Sequence, residues 1–128
     1  MKGYITNIEK ATIENEDYRT DLYTSKDSQL VLMTIQPGDE IGAEVHNLGQ
    51  FIRIESGKAK IVLDGVEHEA EDDWAVVIPA GCNHNVINVG DTPLRLYSVY
   101  SPPEHKDGTV HATKADEKEE HFDGITSE

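Results

Sequence analysis

Glu44 and His46 stand two residues apart, Gln50 follows four residues later, and His84 lies in a distant segment after Pro79-Ala80-Gly81. On an extended strand, positions two apart leave the same face, so Glu44 and His46 can converge and Gln50 can rejoin them once the next strand begins. His84 would arrive from a second strand. Two imidazoles, one carboxylate and one amide carbonyl form a nitrogen and oxygen donor set for a divalent cation, and Zn, Mn, Fe, Co and Ni all suit it. Such a cation also offsets the cost of burying the charged and polar groups in an apolar interior. The single Cys82 leaves no thiolate pair for a zinc site and no partner for an internal disulfide, and it reads as a small loop residue.

The elements that must carry these ligands are short. From residue 29 to 100 apolar runs alternate with turn signals, the pattern of an all-β sandwich or barrel. A strand over residues 30–36 ends at Pro37-Gly38, and one over 51–55 stops at Ser56-Gly57. Asp64-Gly65, between the runs 58–63 and 66–71, reads as a type I′ hairpin loop. That loop opposes Leu63 to Val66, Ile61 to His68, Lys60 to Glu69 and Lys58 to Glu71. His68 therefore shares the apolar face of Ile61, where it is either a hydrogen-bonded core histidine or a proton carrier lining the cavity. Further strands follow over 74–78, 85–89 and 94–100.

Residues 1–29 alternate weakly and read as N-terminal strands or an arm that packs on a partner, and 30–103 form the barrel. Residues 104–128 are a polar C-terminal tail, whose part from Lys114 to Glu128 is expected to be mobile or a short terminal helix. His105, His111 and His121 lie in polar surroundings and are expected to be solvated rather than ligands.

With 128 residues the chain makes one domain, and 37% apolar with 6% aromatic residues implies a modest core of Val, Ile and Leu. Lys and Arg total 11 against 25 Asp and Glu, a formal charge of -14 that disfavours nucleic acid and anionic membranes as partners. Residues 1–7 lack the apolar run of a signal peptide, and no stretch of about 18 apolar residues occurs, so a cytoplasmic protein is expected.

The two ligand-bearing blocks resemble the motifs of the cupin superfamily, G-x5-H-x-H-x3/4-E-x6-G and G-x5-P-x-G-x2-H-x3-N. Gly38, His46 and Gly57 match the first, and Pro79, Gly81, His84 and Asn88 match the second. Glu44 stands at the first histidine position, Gln50 at the glutamate and Asp73 at the leading glycine of the second motif. The chain is also similar to small single-domain cupins described as mannose-6-phosphate isomerase-like, including residues 28–33 and the late run 97–111.

The resemblance implies a double-stranded β-helix, or jelly-roll, barrel holding a divalent metal at Glu44, His46, Gln50 and His84. It further implies a metal-dependent isomerase of a small sugar or polyol, in which Glu44 or His68 is the candidate for moving a proton. The alternatives are a metal-dependent dioxygenase and a non-catalytic sugar- or ligand-binding cupin. Phosphorylated substrates fit less well, because phosphate recognition favours Arg or Lys in the pocket. Lys58 and Lys60 point away on the hairpin and Arg53 has the opposite parity to Gln50, which leaves Arg95 as the main cation. A homodimer is expected, since the N-terminal segment and the outward Phe51 lack cover.

Overall fold

The structure is a computed structural model that describes residues 2–118 and 120–128. Met1 and Glu119, which fall within the expected N-terminal arm and C-terminal tail, lie outside the described residues. Helix α1 (Ile8–Glu14) leads into strands β1 (Arg19–Thr24) and β2 (Gln29–Ile35). After a long connection come β3 (Gly49–Ser56), β4 (Lys58–Leu63), β5 (Val66–Glu71), β6 (Ala75–Ile78), β7 (His84–Asn88), β8 (Leu94–Ser101) and β9 (Val110–His111). The strands form two antiparallel sheets, one ordered β6-β3-β8-β2-β1-β9 and one ordered β5-β4-β7. This is an all-β jelly-roll arrangement.

Alternation along the strands builds the core between the sheets. Ile52 and Ile54 of β3, Leu94 and Leu96 of β8, and Val31, Met33 and Ile35 of β2 are buried against Ala59 and Ile61 of β4 and Val86 of β7. Full burial of each large aliphatic chain contributes about 1.5–3 kcal/mol, so this layer holds the two sheets face to face.

The β4–β5 hairpin has the expected register, with Lys58 opposite Glu71, Ile61 opposite His68 and Leu63 opposite Val66. Asp64 and Gly65 take φ of 47° and 81°, the left-handed pair that a type I′ loop requires. The Lys60 ammonium pairs diagonally with Glu67 at 3.3 Å, although Glu69 is the residue directly opposite. Asp73, at the position usually held by glycine, also takes a left-handed φ of 71°, and its carboxylate accepts from Arg53 Nη2 at 3.0 Å.

Gly57, at φ 114°, leaves no room for a side chain, since a Cβ there would lie 3.0 Å from Leu94 Cα and 3.1 Å from the Pro93 carbonyl oxygen. Both contacts are backbone and cannot yield. Gly57→Ala is therefore expected to cost roughly 2–4 kcal/mol, read as a lowered urea midpoint at unchanged slope. A midpoint equal to that of the parent protein would contradict this account.

Two terminal expectations are corrected. Where N-terminal strands or an arm packing on a partner were expected, a helix precedes the single strand β1. Asn7 caps that helix by accepting from Lys10 N at 3.1 Å, Thr12 is fully buried, and α1 packs on β8 and β3. An N-cap asparagine followed by good helix formers, together with this docking, overrides the weak alternation. Of the mobile tail or short terminal helix expected from Lys114 onward, the segment has a short 3-10 helix and is folded back on the sheet. β9 pairs with β1, Lys114–Asp116 make one 3-10 turn, and Phe122 N, Ser127 N and Lys106 N donate to Glu104 O, Thr24 O and Glu120 O.

Candidate metal centre

The loop before β3 is stitched to the start of β7. Glu44 N donates to His84 O at 2.8 Å and His84 N donates to Glu44 O at 2.9 Å, so these residues sit opposite each other as in a ladder. His46 is held by its carbonyl, which accepts from Gly81 N at 2.8 Å. The β4–β5 turn anchors the same region, because Asp64 N donates to Asn83 O at 2.7 Å and Asn83 N donates to the Asp64 carboxylate at 2.8 Å. Residues far apart in sequence are thereby brought to one end of the sandwich.

There, one ligand atom from each of Glu44, His46 and His84 lies within 4.8 Å of the others. His46 Nε2 is 3.4 Å from Glu44 Oε2, and the two imidazole centroids are 5.2 Å apart. His84 Nδ1 is 3.0 Å from the Cys82 carbonyl oxygen, which can only accept, so Nδ1 carries the hydrogen and Nε2 keeps its lone pair for a metal. His46 Nδ1 faces Glu104 Oε1 at 3.5 Å, the same kind of support from a carboxylate. Burial, and secondarily the neighbouring His84, hold His46 below the usual histidine range against the pull of Glu104, which favours the neutral imidazole that binds metal.

Gln50 is buried on β3, and its amide nitrogen donates to Ser98 Oγ and to the Tyr100 hydroxyl, each at 3.2 Å. Its carbonyl oxygen Oε1 is buried without a hydrogen-bond partner among the described residues. Tyr100 in turn meets His46 edge-on at 5.9 Å. An orphaned amide oxygen, on a side chain tied through Tyr100 to His46, has the chemistry of a fourth donor in a divalent metal's shell.

His68 is not part of this group. It keeps its expected register opposite Ile61 but is exposed, because β5 is the edge of the small sheet and the residues from Val66 to Glu69 are all open to solvent. Arg95 is likewise elsewhere: it donates to the Asn15 carbonyl and pairs with Glu16 at 3.1 Å, tying down the segment after α1. His105 and His111 are corrected as well. His111 is buried, and His105 packs edge-on against Tyr100 at 5.1 Å with its pKa pushed down to about 3, first by burial and then by Arg19. His121 is exposed and pairs with Glu104 at 3.2 Å.

A cavity of about 350 Å³ is lined by Glu44 and His46 together with Arg19, Glu104, His105, Glu117 and Lys118. Motif spacing identifies none of the residues that join the two ligands there. Arg19 precedes the motifs and the others follow them, and only the backfolding of the C-terminal segment sets them together.

The Cupin domain family matches residues 31–100 of this chain. The uncharacterized protein YrkC of Bacillus subtilis is 47% identical over 122 residues, which cover 90% of this chain and 66% of that protein. The uncharacterized protein L612 of Acanthamoeba polyphaga mimivirus is 40% identical over 113 residues, 84% of this chain and 70% of its own length. The chain thus spans about two thirds of the length of these curated relatives. Among solved structures, BH2720 of Bacillus halodurans superposes with a TM-score of 0.88 at 43% identity, covering 90% of this chain and 92% of that one.

Proposed function

This chain belongs to the cupin domain family, and we propose that it is a divalent-metal cupin that takes a small oxygenated molecule at Glu44, His46, Gln50 and His84 and isomerises it by proton transfer. The observation that carries this reading is the convergence of Glu44, His46 and His84, two of which line a cavity, and the buried, unpartnered Gln50 Oε1 supports it. A bound divalent ion would act as a Lewis acid, polarising a ligand carbonyl or hydroxyl oxygen. The residues around it do the remaining work. Tyr100 and Ser98 engage the Gln50 amide nitrogen and leave its oxygen uncommitted, and the Cys82 carbonyl and Glu104 aim the two imidazoles. With His68 at the surface, the side chains in place to move a proton are Glu44 and Glu104, and Glu104 is already shared between His46 and His121.

A dioxygenase is the second reading, favoured by a specific feature: Glu44, His46 and His84 make a set of two histidines and one carboxylate, the facial donor type of non-haem iron oxygenases. Elemental analysis of protein purified without chelator is expected to find about one divalent metal per chain. Oxygen uptake with a small diol or hydroxyketone and iron in the protein would favour the oxygenase. Deuterium exchange from solvent into carbon without oxygen uptake would favour the isomerase. Absence of metal, with no uptake of added Zn or Mn, would end both.

We further propose that two copies associate through the outer face near the edge strand β6. Phe51 and Val77 stand opposite each other there, and Val77 and Trp74 are more than half exposed. Light scattering at low micromolar concentration is expected to give about twice the 14.2 kDa chain mass. A persistent monomer at high concentration would refute it. No helix among the described residues is long and apolar enough to cross a membrane.

A further inference from the structure

Among the described residues, the buried side-chain nitrogen and oxygen atoms that lack a hydrogen-bond partner belong to Tyr18, Arg19, Asp21, Gln50, Arg53 and His111. Three of these, Arg19, Asp21 and His111, lie on the paired strands β1 and β9. Buried polar groups are normally satisfied, so such a cluster beside a cavity marks a place where something else is meant to bind.

Arg19 is the centre of that cluster. It pairs with Met33 of β2 on one side and His111 of β9 on the other, it is only 4% exposed, and it lines the cavity with Glu44, His46 and His105. Its Nη1 donates to Glu117 Oε2 at 3.1 Å. Its Nε lies 3.4 Å from Asp21 Oδ1 without an aligned hydrogen bond, and Nη2 has no partner among the described residues. A guanidinium is a fixed fork of donors matched to a carboxylate, and here two of its three nitrogens make no hydrogen bond among the described residues. Asp21 is a poor counter-ion, because burial outweighs the attraction of Arg19 and pushes its carboxyl up to about 7. The carboxylate that does meet the fork, Glu117, comes from the backfolded C-terminal segment and is itself one-third exposed.

We propose that the molecule taken at the metal carries a carboxylate, that Arg19 selects it, and that the Glu117 side chain occupies the guanidinium until the ligand's carboxylate displaces it. The inference rests on the metal reading above and narrows the ligand to a small hydroxy or keto acid. A cavity of about 350 Å³ is at the small end of ligand pockets and suits such a molecule. Glu44, Glu104, Glu117 and Glu120 line the same cavity and oppose an anion, so Arg19, Lys118 and the bound cation must offset them at contact distance, while the more distant part of the chain's charge of -14 is screened over about 8 Å at physiological ionic strength.

The test uses the full chain loaded with Co²⁺, whose absorption reports the metal, and calorimetry with glycolate and its neutral amide, glycolamide. The preference of the parent protein for glycolate is expected to fall at least tenfold in Arg19→Met, to be partly retained in Arg19→Lys, and to rise several-fold in Glu117→Gln, which removes the competing carboxylate. Co²⁺ affinity is expected to change by less than about threefold in all three, since none is a metal ligand. An unaltered preference in Arg19→Met overturns the proposal. Should that variant fail to fold, unaltered glycolate affinity in Glu117→Gln overturns it alone. Co²⁺ binding by the parent protein together with a glycolate preference that depends on neither Arg19 nor Glu117 leaves the metal reading standing and removes this one, whereas no Co²⁺ binding by the parent protein removes both.

Discussion

Replacing His84 with alanine is expected to lower the affinity for Zn²⁺ or Co²⁺ about a hundredfold or more, measured by competition with a chromophoric chelator. Its Nε2 is left free by the Nδ1 contact to the Cys82 carbonyl, and it lies on a strand end that backbone hydrogen bonds lock to Glu44. The substitution removes a donor without giving the other ligands a way to close the gap. His46→Ala should behave alike. Glu104→Gln should cost less, about tenfold, because that residue only orients His46 and polarises its ring. Gln50→Ala should also cost less, since a neutral amide is the weakest donor of the four. His68→Ala, on the exposed edge strand, should change nothing. Equal affinities across this series would show that these residues hold no metal.

Asp21→Asn is expected to change how stability depends on pH. The native carboxyl keeps its proton up to about pH 7, against an ordinary value of 3.8 in the unfolded chain. Between those values the native state binds more protons than the unfolded state, so this group's contribution falls as pH rises and is fully lost above the native pKa. At 1.36 kcal/mol per unit, the loss is on the order of 4 kcal/mol across that range. The cause is burial, which the contact to Arg19 reduces but does not cancel because neither Asp21 oxygen receives a hydrogen bond. Asp21→Asn keeps the shape and removes the ionisation, so the variant should gain on the parent protein as pH rises from about 4 to 8 in metal-free urea unfolding. His105, held down at about 3 by burial, tilts both proteins equally in the opposite sense and drops out of the difference. A difference that does not vary with pH would mean that Asp21 titrates normally.

Much of the site could be read from spacing because the relevant geometry is local. Glu44 and His46 leave one side of an extended segment, a two-residue turn sets the β4–β5 register, and Pro79-Ala80-Gly81 delivers His84 to a strand end. What escaped were features decided by contacts between distant segments. The alternation that put His68 on the face of Ile61 was sound, but it could not say whether that face is covered at the edge of a three-stranded sheet. His105 and His111 sit among polar neighbours in sequence, yet pairing of β9 with β1 buries His111, and the clamp of Gln29 on the His105 backbone leaves that residue half-buried. Arg19 was overlooked for the same reason. A lone arginine near the N-terminus carries no motif, and only the return of the C-terminal segment reveals it as a wall of the cavity.

The turn at Asp64 and Gly65 has a thermodynamic consequence. Its backbone and carboxylate hold Asn83, the neighbour of His84, so the hairpin tip and the strand end that carries His84 open or close together. Opening of the tip would withdraw a ligand, and by reciprocity occupancy of the ligands must suppress opening of the tip. Saturating the protein with Zn²⁺ should therefore slow amide hydrogen exchange at Asp64 and Asn83, both of which donate across this junction, as well as at the residues that touch the ion. The hairpin tip, which itself offers no ligand, would then serve as a reporter of occupancy.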